Sequence, residues 1–213
     1  MTGYGGVVDE LPDIAGLREH WGREVVHCPY CHGHEVAGQR IGVLGNAMGA
    51  HAAHHWRQWT PTLTFLLDDA VVLHEQKRAR LGARGIEIVE GSVTEVLEHD
   101  GRLSGVRLAD GREVALDALA VTPFSRVSLG PVAGLGLSTT EFVMGSAVLG
   151  THLAADPTGQ TTIPGVYVAG NEAAITANVT ESMSMGTRAA AGLNIDLVMD
   201  DADAAVTRLV TTS

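Results

Sequence analysis

The stretch from residue 41 to residue 69, IGVLGNAMGAHAAHHWRQWTPTLTFLLDD, decides the fold. It opens with the short apolar run 41–44 and closes with a second apolar run, 62–67. Between them, residues 48–59 have the composition of a helix. Two apolar strands joined by one helix predict parallel strands with a right-handed crossover. The sequence therefore predicts an α/β protein built on a Rossmann-like parallel sheet.

The pattern continues beyond this unit and then changes. A helix over 74–83 and a strand over 86–89 extend the alternation, and a strand over 117–121 returns to the same sheet. Between those strands lie three short segments with alternating apolar residues, separated by Asp-Gly pairs that are typical of hairpin turns. They cover residues 93–98, 103–108 and 113–115. These segments predict a small antiparallel meander.

The rest of the chain is predicted to hold fewer elements. Residues 123–160 are rich in loop-forming types, and residues 165–170 have the composition of a buried strand. Apolar spacing predicts a long helix over 179–199, and a further short helix is expected over 201–210.

Composition and charge narrow the class of partner. The net charge of −11 disfavours nucleic acid and an anionic membrane surface, since both repel an acidic protein. No uninterrupted apolar run reaches the length of a membrane span. Residues 1–6 lack the basic and apolar regions of a signal peptide, so a cytoplasmic location is expected. In a reducing compartment the two cysteines are not expected to form a static structural disulfide.

The cysteines, Cys28 and Cys31, enclose Pro29 and Tyr30 and so have the two-residue spacing of dithiol–disulfide redox sites. With this spacing one thiolate attacks a substrate disulfide and the other resolves the mixed disulfide. His32 follows the pair directly, and a charged imidazole there would lower the pKa of a thiol. We therefore predict Cys28, Cys31 and His32 as the catalytic residues. The order in which the two sulfurs act stays open.

The same motif allows a second interpretation, one half of a zinc site. A tetrahedral zinc site needs two ligands beyond the cysteines, and the chain has no second CxxC motif. His51 and His55 are four residues apart on the predicted helix, so they share one helical face. The alternative metal site therefore consists of Cys28, Cys31, His51 and His55. Alternatively, these histidines face the solvent and bind no metal.

Several motifs, in this order, resemble the low-molecular-weight thioredoxin reductases and their relatives, the small-molecule dithiol oxidases of natural-product pathways. They are HCPYCHG at residues 27–33, DPTGQT at 156–161, IPGVYVAG at 163–170 and the helix that begins at residue 179. The opening MTG, residues 1–3, is similar to the sequence that ends the family's first flavin-domain segment. The resemblance covers nearly the whole chain.

The resemblance implies a flavoprotein with two dinucleotide-binding domains. Residues 25–122 would form the NAD(P)-type domain that carries the cysteines, and residues 1–24 with 123–213 would form part of an FAD-type domain. The implied cofactors are FAD and NAD(P)H. The residues implied to bind them lie in loops after strands and at a helix start: Gly45, Ala47, Ala50, Asp68, Gly170, Asn171, Asn178 and Val179.

The chain departs from the family's pattern at cofactor-contacting positions. The N-terminal segment that carries the family's strand–GxGxxG–helix is expected to be absent, which would leave a truncated FAD-domain half. Asn171 stands where the family has aspartate, so an amide replaces a charge. Ala47 replaces the central glycine of the nucleotide fingerprint and adds a methyl group where a pyrophosphate approaches the backbone. Asp68 would bind the ribose hydroxyls of NADH and repel a 2′-phosphate.

The predicted function is a thioredoxin-reductase-like dithiol/disulfide oxidoreductase. It would act through Cys28 and Cys31 on a small-molecule thiol or disulfide, with a natural product as one option. The alternative is a cofactor-free or metal-dependent biosynthetic enzyme that uses the Cys/His cluster and a metal ion. A non-catalytic binding protein is the third interpretation. The expected assembly is a homodimer or a complex that supplies the missing FAD half.

Overall fold

The computed structural model describes residues 6–46, 48–145 and 147–211, and they divide into two compact units. The cysteine unit comprises Leu11–Pro123. The terminal unit comprises the described residues on either side of it, 6–10 and 124–211.

Within the described residues, the chain forms strands β1 to β12 and helices α1 to α4. The strands are β1 Val7–Glu10, β2 Val25–Val26, β3 Ile41–Gly45, β4 Leu63–Leu67, β5 Glu87–Glu90, β6 Val93–His99, β7 Arg102–Leu108, β8 Glu113–Ala115, β9 Ala118–Ala120, β10 Phe124–Val127, β11 Thr139–Met144 and β12 Ala147–Leu153. The helices are α1 Pro29–His32, α2 Gly49–Trp56, α3 Glu75–Ala83 and α4 Val179–Thr211.

Five parallel strands form the main sheet of the cysteine unit, in the order β2-β9-β3-β4-β5. Ile41 of β3 lies opposite Leu63 on one side and Ala118 on the other. The strand order therefore reverses at β3, because the chain runs outward to β5 and then returns to β9 on the opposite flank. Strands β3 and β4 are buried along their whole length, as expected for parallel strands that are covered on both faces. The predicted Rossmann-like sheet is confirmed.

Two apolar clusters form the core of the cysteine unit. Trp56 and Ala53 of α2 pack with Phe65 of β4 in the first cluster, and all three are at most 1% exposed. The second cluster joins Leu66 of the same strand to Val106 of β7. Because alternate residues of a strand point to opposite faces, Phe65 and Leu66 bury the two faces of one sheet.

The predicted antiparallel meander is also confirmed. Strand β6 pairs with β7 and β7 pairs with β8, both antiparallel. Asp100 and Gly101 both have positive φ, at 52° and 74°, which suits the tight turn between β6 and β7. Gly111 supplies a positive φ in the next turn.

The terminal unit contains a second, mixed sheet in the order β1-β10-β12-β11. Strands β10 to β12 lie within residues 123–160, where the sequence had predicted mainly loops. Residues 165–170, in turn, form no continuous strand, and Tyr167 makes only an isolated bridge to Gln160. The strand prediction for 165–170 is therefore wrong, because this segment turns into the short 3-10 helix Gly170–Glu172 instead of pairing along an edge.

The boundary between the units lies at Glu10 and Leu11, whereas the sequence placed it at residue 24. The reason is the pairing of residues 11–24 with the meander. The amide of Ala15 donates to the carbonyl of Thr94 at 3.2 Å, and the amide of Val96 donates back to Ala15 at 2.8 Å. Leu17, which is 1% exposed, belongs to the same apolar cluster as Val96. The C-terminal boundary, at Pro123 and Phe124, lies within one residue of the expected position.

Helix α4 runs without interruption from Val179 to Thr211, so the separate helix predicted over 201–210 is the continuation of the first. The sequence analysis had ended the first helix at a run of acidic residues near residue 200. An exposed helix accommodates such residues, because their side chains point into solvent. None of the helices in the described ranges is long and apolar enough to cross a membrane.

Candidate functional site

The two cysteines lie at the carboxyl end of the parallel sheet. Strand β2 ends at Val26, and after one further residue Cys28 forms the N-cap of α1. The amides of Cys31 and His32 donate to the carbonyl of Cys28 at 3.2 and 3.0 Å, and these bonds close the single turn of α1. Both thiols are free, with Cys31 exposed and Cys28 partly buried. Pro29 occupies the first helical position, where its lack of an amide hydrogen costs no bond.

The two free thiols are neighbours on the single turn of α1. A hydrogen bond to Cys28, partial burial and the charge interaction with Cys28 raise the pKa of the Cys31 thiol above its ordinary value. Two free thiols with this spacing are the reduced state from which a dithiol reacts.

The imidazole of His32 pairs with the carboxylate of Glu35. Its Nδ1 lies 3.2 Å from a carboxylate oxygen of Glu35, three residues further on. A carboxylate acceptor at Nδ1 favours the tautomer with a proton on that nitrogen, which leaves Nε2 as the basic atom. The structure thus places His32 on the turn of the cysteines and pairs it with Glu35, a partner that the sequence analysis did not identify. The H-x-x-E spacing is the signal that could have found it.

Close packing fixes the end of α1 against the segment after α2. A Cβ added at Gly33 would overlap both the indole ring of Trp59 and the carbonyl oxygen of Pro29. No larger side chain fits there unless the turn moves. Gly33 is therefore part of what sets the position of the dithiol.

A hydrogen-bonded chain of side chains begins between the two cysteines. The hydroxyl of Tyr30 lies 3.1 Å from Nδ1 of His55, and Nε2 of His55 lies 3.1 Å from Nε2 of His51. Across the ranges that the structure describes, no group of three or more His, Cys, Asp or Glu side chains is placed to hold a metal ion. The proposed ligand set of Cys28, Cys31, His51 and His55 is thus not assembled, because His55 is directed to Tyr30 and not to the sulfurs.

A small cleft adjoins the dithiol turn. Its volume is about 220 Å³ and its walls are formed by Pro29, Tyr30, His55, Gln58 and Trp59. Two of these residues, Pro29 and Tyr30, stand between the cysteines in sequence, so the cleft is formed in part by the dithiol turn itself. The cleft offers aromatic surface together with an imidazole and an amide.

The loop after β3 is a second candidate site, in the crevice where the strand order reverses. The side chain of Asn46 donates to the carbonyl of Thr122 at 3.3 Å and accepts from the amide of Met48 at 3.0 Å. These bonds join the loop after β3 to the segment after β9. Gly45 is required here, because an added Cβ would overlap the carbonyl oxygen of Leu66. Dinucleotides bind at such crevices in open parallel sheets.

Two other residues predicted to bind a cofactor, Ala47 and Ala50, do not form a described ligand surface. Ala50 is nearly fully buried in the first turn of α2, where it packs in the core and helps to hold the helix close to the sheet. Ala47 lies outside the described residues. The loop therefore offers Gly45 and the backbone near it as the described surface for a ligand.

The paired acidic residues after β4 have different roles. Asp69 accepts from the amide and the hydroxyl of Ser92 at 3.1 and 3.0 Å, so its carboxylate joins two loops. Asp68 accepts only from the amide of Ala70, at 2.9 Å, through one oxygen. Its second oxygen has no hydrogen-bond partner among the described residues. Asp68, next to Gly45, is thus the carboxylate that remains available.

The terminal unit brings together the residues that were predicted to face a flavin. The amide of Gly6 donates to the carboxylate of Glu172 at 2.5 Å, and Gly6 lies beside the side chain of Asn171. Asn171 is half-buried, and its side-chain amide has no hydrogen bond within the described parts of the chain. Gly170, with a φ of 76°, turns the loop against Ser182 in the first turn of α4. The residues of the opening MTG lie outside the described ranges.

The start of α4 is closed by a reciprocal cap. Asn178 accepts from the amide of Glu181 at 3.0 Å, and Glu181 accepts from the amide of Asn178 at 3.0 Å. This capping box satisfies two backbone donors that a helix start leaves unpaired. Val179 is 78% exposed, so no described residue covers it.

The terminal unit also contains a larger cleft that the sequence analysis missed. It measures about 350 Å³ and lies between the loop 155–159 and helix α4. Arg188 of α4 lines it and has no ion-pair partner among the described residues. No sequence signal marked this residue, because a lone arginine on an exposed helix is common.

Fold and site together define a class: an α/β scaffold with a Rossmann-like parallel sheet and a CxxC turn at the carboxyl end of that sheet. No protein-family description matches the chain. Curated relatives do match it. Thioredoxin reductase sirT of Leptosphaeria maculans is 28% identical over 210 residues, which covers 92% of this chain and 62% of that protein. Thioredoxin reductase tcpT of Claviceps purpurea is 30% identical over 92% of this chain and 61% of its own.

Solved structures agree with these relatives. The crystal structure of HlmI is 37% identical, with a TM-score of 0.81, and covers 97% of this chain and 63% of its own. An oxidoreductase from Agrobacterium tumefaciens is 34% identical, with a TM-score of 0.79, over 91% of this chain and 63% of its own. In sequence and fold the chain is thus similar to thioredoxin-reductase-like proteins over more than nine tenths of its length. It spans somewhat less than two thirds of the length of these relatives.

Proposed function

We propose that the protein is a dithiol/disulfide oxidoreductase that acts through Cys28 and Cys31. The observation that carries this proposal is the pair itself: two free thiols on one short turn at the carboxyl end of the sheet, with Cys31 exposed. The names of the relatives, thioredoxin reductases among them, support the same class of reaction.

The exchange proceeds in two balanced steps. The thiolate of one cysteine attacks a sulfur of the substrate disulfide; a protein–substrate S–S bond forms, and the substrate S–S bond breaks. The released substrate thiolate takes up a proton. The second cysteine then loses its proton and attacks the protein sulfur of the mixed disulfide, which frees the second substrate thiol. The substrate gains two electrons and two protons, while Cys28 and Cys31 become a disulfide. The reverse sequence oxidises a substrate dithiol.

Because its hydrogen bond to Cys28 raises the pKa of the Cys31 thiol, Cys31 is proposed as the sulfur that acts in the second step. In this proposal His32 exchanges protons with the reacting sulfurs. Its pairing with Glu35 at 3.2 Å leaves Nε2 as the basic atom, on the same helical turn as the thiols.

The cofactors of the family, FAD and NAD(P)H, are proposed for this chain as well. The crevice after β3 fits a nicotinamide dinucleotide. Gly45 has no side chain there, so a ligand can approach the backbone closely. The oxygen of Asp68 that does not bind Ala70 is available to accept hydrogen bonds from ribose hydroxyls. In the terminal unit, the half-buried amide of Asn171 and the loop at Gly170 fit a flavin ligand, since a half-buried amide without a partner gains by binding one. When bound, these groups supply the electron pair that renews the dithiol.

A small-molecule substrate is favoured over a protein by the cleft beside the dithiol. Its volume of about 220 Å³ suits part of a small molecule, and its walls combine aromatic rings with the polar groups of His55 and Gln58. A compact neutral molecule that bears a disulfide or two thiols would contact both kinds of surface.

The test uses an aromatic disulfide that releases a coloured thiolate, 5,5′-dithiobis(2-nitrobenzoate), with the reduced full chain. The wild-type protein should release two thiolates per chain and finish with a Cys28–Cys31 disulfide and no retained probe. Cys31→Ser should release one thiolate and keep the probe as a mixed disulfide, which mass spectrometry detects. The double variant with both cysteines replaced by serine is the control and should release none.

Wild-type protein that ends with two retained probe molecules would contradict the proposal, because the second thiol would then fail to resolve the first mixed disulfide. A second measurement addresses the cofactors. Purified protein, alone and mixed with FAD, is examined for the visible absorbance of bound flavin. Asn171→Leu should weaken any flavin binding, since it removes the amide without enlarging the side chain.

A further inference from the structure

Tyr30 stands between the two cysteines and makes a contact that the exchange reaction does not use. Its side chain is 78% exposed, so burial does not hold it in place. Its hydroxyl instead lies 3.1 Å from Nδ1 of His55, which is 25 residues further along the chain. The ring centroids are 6.0 Å apart in an edge arrangement. One residue of the reactive turn is thus joined to helix α2.

His55 is held in turn by its other ring nitrogen. Its Nε2 lies 3.1 Å from Nε2 of His51, one helical turn earlier, and the ring centroids are 4.7 Å apart. In the neutral pair one Nε2 donates and the other accepts. When His51 donates, Nδ1 of His55 carries a proton and donates to the hydroxyl of Tyr30. When His55 donates, its Nδ1 accepts from that hydroxyl. Both arrangements keep the contact with Tyr30.

Helix α2 is a rigid base for this contact. Trp56 and Ala53 are at most 1% exposed and pack in the core of the sheet, so the helix cannot shift without disturbing that core. Helix α1, by contrast, is one turn of four residues and buries none of them. The position of the dithiol turn is therefore fixed by contacts with other segments of the chain. One point of support is the packing of Gly33 against Trp59, and the other is the hydrogen bond from Tyr30 to His55.

We propose that His55, acting through Tyr30, is a positioning residue for the dithiol that stabilises its reduced form. By holding the turn on α2, the bond fixes the geometry of the reduced turn, in which no covalent bond joins the two sulfurs. The disulfide needs no such support, because its own covalent bond fixes the separation. Loss of the contact should thus destabilise the dithiol relative to the disulfide and make the pair more reducing. This inference rests on the proposed function.

The experiment equilibrates the full chain with glutathione redox buffers and measures the oxidised fraction by mass spectrometry after the thiols are trapped. Tyr30→Phe and His55→Leu should each shift the thiol–disulfide equilibrium about two- to fivefold toward the disulfide, since an exposed hydrogen bond contributes little. At 29.6 mV per tenfold this is a lowering of about 9 to 21 mV in the reduction potential. The double variant should shift no further than either single one, because both remove the same contact.

Two control variants separate positioning from a general loss of structure. His55→Asn keeps a polar atom near the position of Nδ1 and should restore the wild-type equilibrium. His54→Leu changes the neighbouring histidine, which contacts Arg84 and not the dithiol turn, and should leave the equilibrium unchanged. Circular dichroism and the thermal midpoint establish that each variant is folded.

The outcomes are distinct. A shift of the equilibrium below about 1.5-fold in Tyr30→Phe would overturn the inference, because loss of the hydrogen bond should shift it at least about twofold. The proposed function would remain intact. An equal shift in His54→Leu would also overturn it, because the effect would then come from α2 as a whole. A wild-type protein that forms no Cys28–Cys31 disulfide at any glutathione ratio would overturn both proposals together.

Discussion

Helices α2 and α4 show how differently the two units are built. Helix α2 has eight residues and buries four of them, Gly49, Ala50, Ala53 and Trp56. Helix α4 has 33 residues and buries one, Ala189. The same contrast holds for the cores. Two extended apolar clusters flank the parallel sheet of the cysteine unit, whereas the described residues of the terminal unit form a single cluster with four buried members.

The difference shows what holds each helix. In proteins most of the stability of a helix comes from packing and not from intrinsic propensity. Helix α2 is a packed element, so side chains on it can define a site to within fractions of an ångström. The outer part of α4 has apolar residues on every side, among them Ile195, Leu197, Val198 and Met199, all more than half exposed. Apart from the hydrogen bond that Asp196 accepts from the hydroxyl of Tyr167 at 2.8 Å, that part has little packing, so the free energy of unfolding of the chain should depend little on its apolar side chains.

The largest expected effect tests this comparison directly. Phe65 is fully buried between α2 and the sheet, and Phe65→Ala should lower the free energy of unfolding by about 3–5 kcal/mol. Ile195→Ala, on the exposed part of α4, should change it by less than about 0.5 kcal/mol. Denaturant titration of the full chain, followed by far-ultraviolet circular dichroism, measures both. Similar losses in the two variants would show that α4 is packed in solution and would end the contrast.

Much of the cysteine unit was predictable because its strands are continuous apolar runs bounded by turn residues. The runs at 41–44 and 62–67 became Ile41–Gly45 and Leu63–Leu67 with a difference of one residue. The terminal unit was less predictable for the same physical reason. Strand β11 is mostly exposed and β12 is mostly half-buried, so neither shows a clear alternation of buried and exposed side chains. A segment without a buried face has no period to detect.

A medium effect probes how tightly the parallel sheet is packed at the nucleotide crevice. A Cβ at Gly45 would overlap the carbonyl oxygen of Leu66 and stand 2.9 Å from Cα of Leu67, in the middle of the sheet. Gly45→Ala should therefore cost about 1–3 kcal/mol. Gly82→Ala is the matched control, because nothing lies within 4 Å of that position on α3. It should stabilise the protein by about 0.5–1 kcal/mol through helix propensity.

Thermal midpoints of the two glycine variants should move in opposite directions. A neutral Gly45→Ala would mean that the strands can separate locally, and the rigid crevice proposed for a dinucleotide would then lose its support. A destabilising Gly82→Ala would instead indicate a contact on α3 that the structure does not contain.

Some features of the candidate site could be predicted from the sequence, and others could not. The dithiol is local in sequence, so its spacing alone identified it. The contact between Tyr30 and His55 joins residues 25 apart, and only the packing of α1 on α2 creates it. The sequence pattern had assigned His55 to a metal with His51, since i and i+4 histidines share a face. It could not show that the ring of His55 is directed to a tyrosine. Asp68 and Asp69 are adjacent and identical in type, and only their partners separate them.

The smallest expected effect concerns a polar contact at the start of the parallel sheet. Arg40, before β3, donates to Asp117, before β9, from its backbone amide and its guanidinium, at 3.0, 2.9 and 2.5 Å. The hydrogen bonds and charge of Arg40 lower the pKa of the Asp117 carboxyl below its usual value. Since the side chain of Asp117 is 41% exposed, solvent screens the pair, and Asp117→Asn should cost at most about 1 kcal/mol at neutral pH.

The pH dependence of this loss identifies its cause. A carboxyl whose pKa is lower in the folded state contributes stability above its unfolded pKa, near 3.9, and loses it as the pH falls through the folded value. The difference between wild type and Asp117→Asn should therefore be constant near neutrality and shrink in acid. Asp201→Asn on the exposed part of α4, where the structure shows no ion pair for Asp201 within its described range, is the matched control and should show no such pH dependence. A difference that persists below the folded pKa of Asp117 would assign the loss to packing of the side chain, and the charge would then contribute nothing at this end of the sheet.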